Sequence, residues 1–444
     1  MTEAISLQPK DVRPTLGKHI LADGFEAVID LEKSHGSWIV DAVTGREYLD
    51  LFAMFASMTV GYNHPVLVAN KDRLTTAALT KPTLSDIYAR EYAEFVAIFD
   101  EIGIPEYLPH TFFIEGGGLA VENALKAAFD WKVRKNLDSG SGEKGSQVIH
   151  FQHCFHGRTG YTMSLTDSHD PRKTLYYPKF NWPLITMPRL RFPITDTVQK
   201  EVEALEEKAL KEIQEAIHNN AHDIAALIIE PIQGEGGDNH FRPEFAVALR
   251  QVCNENEIIL IYDEVQTGVA ITGAFWAHEH FGEAAQPDII SFGKKSQVCG
   301  ILAGKRFDEV EHNVFQESSR INSTWGGNMV DMVRFGLILQ IIQDENLIEK
   351  SRKDGDFLLK KLETLAEEFP GYVTNVRGRG LFAAFDLPSG TERDAVLAAL
   401  YKNGAIVLGS GDRSIRFRPQ LTISHEEIEL AYDIFVKSVR SCLA

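Results

Sequence analysis

Short, continuous apolar runs punctuate the middle of the chain at Thr111–Ile114, Val148–Phe151, Leu184–Met187, Ile224–Ile229, Ile258–Tyr262 and Ile289–Phe292. Between them lie polar stretches and segments with helical spacing, among them Leu119–Lys132, Thr197–His218 and Pro243–Glu255. Strands without an alternating polar face, separated by helices, are what a parallel sheet covered on both sides requires. The block from about 110 to 305 therefore reads as one α/β domain. A further helix is expected over Ser85–Ile102, where Ile87, Tyr88, Tyr92, Phe95, Val96, Ile98 and Phe99 follow a period near 3.6.

The two ends read differently. Before Pro65 only short strands are expected, at Ser37–Asp41 and Glu47–Phe52 around the Thr44-Gly45 turn, followed by a loop at Gly61–Pro65. Past Gly326 a long helical region runs to Pro370-Gly371. Strands follow at Leu381–Asp386 and Ser414–Arg418, with a helix at Glu392–Tyr401 and a last helix opened by the capping box Ser424-His425-Glu426-Glu427. This α+β tail is expected to form a second domain.

Composition narrows the class. A chain of 444 residues exceeds one ordinary core. The net charge of −18 disfavours a nucleic-acid or anionic-membrane surface, so any anion site must be local. The four cysteines, Cys154, Cys253, Cys299 and Cys442, show no CxxC pair, which suits a reducing cytoplasm and suggests neither zinc nor a disulfide framework. No signal pattern and no membrane-length apolar run is present, so a soluble, unprocessed protein is expected.

Candidate chemistry collects at the ends of the predicted strands. The Ile289–Phe292 run delivers Gly293 and then Lys294 and Lys295. A lysine there, partly desolvated, becomes a carbonyl nucleophile, although the stretch alone equally suits a solvated loop. Asp263 ends another buried run and precedes Lys294 by 294 − 263 = 31 residues, about one strand-crossover-strand unit. A Schiff-base lysine with an acidic partner that keeps a pyridine nitrogen protonated is what a pyridoxal phosphate site requires. Gly116-Gly117-Gly118, between strand and helix, offers backbone N–H groups to a phosphate, or simply a tight turn. Phe155-His156-Gly157-Arg158 offers an aromatic face, an imidazole and a guanidinium. Arg416, alternating with apolar residues, suits either an inward carboxylate anchor or an exposed strand position. The histidines lack ligand spacing, and no metal is expected.

Together these residues resemble a class III pyridoxal-phosphate aminotransferase of fold type I. Gly61–Pro65, Gly116–Glu122, Phe155–Gly160, Glu230–Gly237, Asp263–Gly268, Asp288–Lys294 and Thr324–Gly327 fall in that family's order. The resemblance implies a large cofactor-binding α/β domain over residues 66–325 and a smaller α+β domain built from both chain ends, 1–65 and 326–444. One turn departs from the common Asn-Ser-Gly-Thr-Glu-Ala pattern: this chain has Glu115-Gly-Gly-Gly-Leu119-Ala120. That run, through Lys126, and Phe292 to Gly300 are instead similar to the L-lysine 6-aminotransferase subfamily. Another ω-aminotransferase, for ornithine, 4-aminobutyrate or a diamine, and a catalytically silent relative are the competing readings.

Carried over by resemblance, Lys294 forms the internal aldimine and shuttles the proton, and Asp263 pairs with the pyridinium nitrogen. Gln266 lies near the ring hydroxyl, Gly117 and Gly118 bind the phosphate, Phe155 stacks on the ring, and His156 sits beside the cofactor. Thr324, with Asn322 nearby, would reach the phosphate of the neighbouring subunit, implying a homodimer. Arg158 would hold the α-carboxylate of L-lysine, Arg416 that of 2-oxoglutarate or glutamate, and Glu235 would pair with Arg416 when that carboxylate is absent. The implied reaction moves the ε-amino group of L-lysine to 2-oxoglutarate by a ping-pong course.

Overall fold

The computed structural model describes residues 6–443. Its centre is a seven-stranded sheet in the order His110–Ile114, Cys299–Ala303, Ile289–Phe292, Ile259–Asp263, Ile224–Ile229, Gln147–Phe151, Leu184–Ile185. The last five of these pair in parallel, as the continuous apolar runs require. Every residue of the Ile224–Ile229, Ile259–Asp263 and Ile289–Phe292 strands is buried. Cys299–Ala303, not among the expected strands, is a strand antiparallel to both of its neighbours. The connection from Phe292 to Cys299 spans only six residues, too few for the crossover a parallel return needs.

Helix Gly117–Asp138 covers one face, burying Val121, Ala124, Leu125, Ala128 and Trp131 against the sheet. On the other face, helix Arg90–Ile102 brings Phe95 and Phe99 against Phe113 and Phe292, and helix Met329–Asp344 packs Phe335 on Phe95 and Phe99. The first of these begins at Arg90 rather than Ser85, and Ile87 and Tyr88 are more than 70% exposed. Two of the apolar residues that set the expected period thus never face the core. The long helix expected to Pro370 is two helices, Met329–Asp344 and Leu347–Glu368, because Asn346 turns left-handed between them at φ 51°.

Both chain ends build the remaining sheets. Trp38–Val40 and Glu47–Asp50 pair antiparallel, and Ala405–Ile406 joins them in parallel. A four-stranded antiparallel sheet runs in the order Thr374–Arg379, Phe382–Asp386, Ser414–Phe417, Leu408–Ser410. The Ser424–Glu427 capping box forms as expected: Ser424 N–H donates to Glu427 Oε2 (2.9 Å) and Glu427 N–H to Ser424 Oγ (3.1 Å). Glu427 also accepts from Trp38 Nε1 at 2.9 Å, so the last helix holds the first sheet.

The C-terminal part meets the central sheet's loops through two glycines. A Cβ on Gly355, inside helix Leu347–Glu368, would collide with the Gly380 backbone, and one on Gly380 (φ +57°) with Ile271 O and Thr272. Propensity alone favours alanine over glycine in a helix by about 1 kcal/mol. Overpacking against backbone opposes it, so Gly355→Ala is expected to lower unfolding stability by about 1–3 kcal/mol in denaturant titration. A stabilised variant would contradict this packing.

Candidate active site

Five loops meet at one edge of the central sheet because each follows the C-terminal end of a strand pointing the same way. They carry Gly116–Gly118, Phe155–His156, Glu230–Glu235, Asp263–Gln266 and Lys294. Lys294 follows Gly293, where a Cβ would stand 2.9 Å from Cys299 Sγ, and itself adopts φ 53°, uncommon for a side-chain-bearing residue. Gln297 braces this turn by donating to Ser57 O (2.6 Å) and Lys294 O (3.3 Å). Among the described residues the Lys294 ammonium has no hydrogen-bond or ion-pair partner. Burial lowers its pKa, and the Arg416 charge adds to the effect, while Asp263 and Glu230 pull the other way. Lys295 is buried more deeply still, but its Nζ donates to Gln266 O at 2.7 Å. Of the two lysines, Lys294 has the free amine.

Asp263 is fixed from three sides. Its Oδ2 lies 2.8 Å from His156 Nδ1, and its Oδ1 accepts from Ser291 Oγ (3.0 Å) and Val265 N–H (3.1 Å). Burial opposes a charge on His156, but the Cys154 sulfur and the Asp263 carboxylate outweigh it and raise the imidazole's pKa. Its Nε2 is buried without a partner among the described residues. Gln266 Oε1 accepts from Arg418 Nε at 3.0 Å, which turns the other half of the amide outward as a donor.

Gly116 (φ +104°) makes the turn into helix Gly117–Asp138, whose first N–H groups have no intrahelical acceptor. A Cβ on Gly117 would approach Val265 Cγ1 to 2.8 Å, and one on Gly157 would reach Gly118 Cα at 2.9 Å. Glycine is thus needed where the strand-end loops cross, and the crossing sets Gly157 against a long helix's positive end.

Arg416 lies on strand Ser414–Phe417 and is 8% exposed, with Nη1 buried and unpaired among the described residues. Burial and the Arg418 charge push its pKa down to about 10. The expected Glu235–Arg416 pair is absent. Glu235 Oε1 instead accepts from Ser168 Oγ (3.0 Å) and pairs with the Lys173 ammonium, because helix turn Pro171–Lys173 reaches over the same cleft. Arg158, Asn322 and Thr324 are exposed on the single chain, and no described hydrogen bond or ion pair joins them to these groups. Sequence reasoning gave Glu230 no role, although it ends a buried strand just as Asp263 does. Its Oε1 accepts from Phe155 N–H (2.9 Å) and its Oε2 from Gly234 N–H (3.0 Å), joining two of the loops. Lys173, far from any strand end, carried no signal.

The chain matches the class-III aminotransferase family over residues 22–439. The chain belongs to the class III aminotransferases. It is 48% identical over 439 residues to the L-lysine-epsilon aminotransferase of Mycobacterium tuberculosis, covering 98% of this chain and 96% of that one. With the protein of the same name from Amycolatopsis lactamdurans the identity is 47%, covering 97% and 96%. The solved structure of lysine aminotransferase from M. tuberculosis in the internal aldimine form superposes with a TM-score of 0.94 at 48% identity, covering 98% and 99%.

Pyridoxal phosphate is the cofactor of class III aminotransferases, and the residues present fit it. A free, half-buried amine, a braced carboxylate and a helix start with close-packed glycines lie on one sheet edge, as its aldehyde, ring nitrogen and phosphate demand.

Glu230 gives this aminotransferase a pH signature. Burial pushes its carboxyl up to about 8, against the pull of His156. Between its ordinary value and about 8 the folded chain holds a proton that the unfolded chain has released, so this group's contribution to stability falls as pH rises. The slope is about 1.4 kcal/mol per pH unit. Glu230→Gln, which cannot ionise, is expected to flatten the decline between about pH 5 and 8 in denaturation measured against pH. Parallel profiles for parent and variant would refute the assignment.

Proposed function

We propose that this enzyme is an L-lysine 6-aminotransferase. It moves the ε-amino group of L-lysine to 2-oxoglutarate, leaving glutamate and 2-aminoadipate 6-semialdehyde, which closes to a cyclic imine with loss of water. The observation that carries this reading is the 48% identity, over nearly the whole chain, with the L-lysine-epsilon aminotransferase of M. tuberculosis. The Glu115–Lys126 run, in which the usual Asn-Ser-Gly-Thr turn is replaced, supports the same subfamily.

Bound pyridoxal phosphate supplies an electron sink next to the substrate's amine-bearing carbon, which makes a proton there removable. Lys294 Nζ takes that proton and returns it, a role suited to an amine whose pKa burial has lowered. Asp263, braced by His156, holds the proton on the pyridine nitrogen, and Gln266 donates toward the ring hydroxyl. Gly117 and Gly118 would receive the phosphate, and Phe155 would stack on the ring. Arg416 takes the α-carboxylate of 2-oxoglutarate or glutamate, and Arg158 takes that of lysine. Thr324 and Asn322 complete the partner subunit's site in a homodimer, a reading supported by their exposure on the single chain. A cytoplasmic setting is supported by four free cysteines, three of them buried, and no described helix is long and apolar enough to cross a membrane.

Purified holoenzyme supplied with L-lysine and 2-oxoglutarate is expected to yield glutamate and a cyclic imine. Far faster turnover of ornithine or 4-aminobutyrate would overturn the substrate assignment. Arg416→Met is expected to cost about 2 kcal/mol or more, some 30-fold in kcat/KM for 2-oxoglutarate, since it removes one partner of a buried charge pair. An unchanged kcat/KM would exclude Arg416 as the anchor.

A further inference from the structure

Two oppositely charged side chains in one cleft each keep an unused buried atom. Arg416 Nη1 and Glu235 Oε2 are both buried and unpartnered among the described residues, and Glu235 is close enough to support the Arg416 charge. Yet Glu235 is held elsewhere, its Oε1 taken by Ser168 Oγ at 3.0 Å and by the Lys173 ammonium. Its backbone has little freedom: Gly411 N–H donates to Glu235 O at 2.8 Å, and Gly236 and Gly237 pack on His153 and Gly411 too closely for a Cβ on Gly236. The side chain can change partners only by rotation about its own bonds. Other cations of the cleft are committed: Arg172 to Asp170 (2.8 Å) and Arg393 to Asp394 (2.9 Å) and the carbonyls of Gly411 and Asp412.

Resting on the reaction proposed above, we infer that Lys173 is a specificity-determining residue that competes with Arg416 for Glu235. While Lys173 and Ser168 hold Glu235, the Arg416 guanidinium is left free to take the α-carboxylate of glutamate or 2-oxoglutarate. When the amine donor is lysine, bound through its side-chain amine, the methylene chain brings no carboxylate to Arg416, and a buried unpaired cation is costly. Glu235 then leaves Lys173 for Arg416, and Lys173, 29% exposed, is rehydrated. Lys173 therefore sets the balance between the two half-reactions by stabilising the arrangement that favours the dicarboxylate. Its ammonium also lies 5.6 Å from the Phe155 ring centroid, which keeps it at the mouth of the cleft in either state.

The test uses the holoenzyme's visible band, bleached in single half-reactions by L-glutamate or by L-lysine. Lys173→Met is expected to raise the half-saturating concentration of glutamate roughly two- to fivefold, the size of one partly exposed ion pair. The value for lysine is expected to stay unchanged or fall. General damage to the fold would raise both. In a Glu235→Gln background, Lys173→Met is expected to change neither value. Should Lys173→Met misfold, Ser168→Ala removes the other restraint on Glu235 and is expected to shift the ratio in the same direction. A common rise for both amines, no shift in either variant, or an effect that survives Glu235→Gln overturns the inference. If the parent enzyme does not bleach with lysine, the substrate assignment has failed, and the glutamate arm with its Glu235 dependence still decides the role of Lys173.

Discussion

A half-buried lysine amine with no partner among the described residues costs free energy that the rest of the fold must offset. Lys294 is in that position, and much of the architecture can be read as what makes it tolerable. The amine sits where parallel strands end, so Asp263 and Glu230, on the next two strands, lie near enough to favour its charge without bonding to it. Its neighbour Lys295, buried beside it, is satisfied by Gln266 O. The positive φ at Lys294 is maintained by the packed Gly293–Cys299 contact and the Gln297 bonds. The Lys294 amine is thus kept free by surrounding it with groups that already have partners.

The cleft around Arg416 obeys the same rule through another sheet. Arg416 belongs to the small antiparallel sheet formed near the C-terminus, yet it must stand close to a cleft built on the central sheet. Arg418, two residues on and therefore on the same side of the chain, makes the link. Its guanidinium is bidentate to Asp238 at 2.7 and 2.8 Å, bonds Gln266, and lies 3.2 Å over the Phe382 ring. Removing one member of such a buried pair costs about 3–5 kcal/mol. The pair also spares Arg416 any partner of its own: Asp238 is consumed by Arg418, and Glu235 by Lys173 and Ser168.

Legibility in the sequence followed locality. The buried parallel strands could be read because each is a continuous apolar run, and Lys294 and Asp263 could be placed because strand ends in such sheets collect function. The same rule applied to Ile224–Ile229 would have found Glu230. Contacts that depend on distant segments left no local mark. The reversed strand Cys299–Ala303 follows from the shortness of its connection rather than from its composition. Helix Arg90–Ile102 was over-extended because Ile87 and Tyr88 continue the period while facing outward. The Glu235–Lys173 pair joins residues 62 apart through a short helical turn with no pattern of its own. Arg158, Asn322 and Thr324 are exposed, and no described contact of the single chain marks them out.

Lys294, and not the more deeply buried Lys295, is proposed to present the reactive amine. Borohydride reduction of the holoenzyme, followed by proteolysis and mass spectrometric sequencing, tests it directly. A single pyridoxyl adduct on Lys294 is expected. An adduct on Lys295, or one distributed over both lysines, would contradict it.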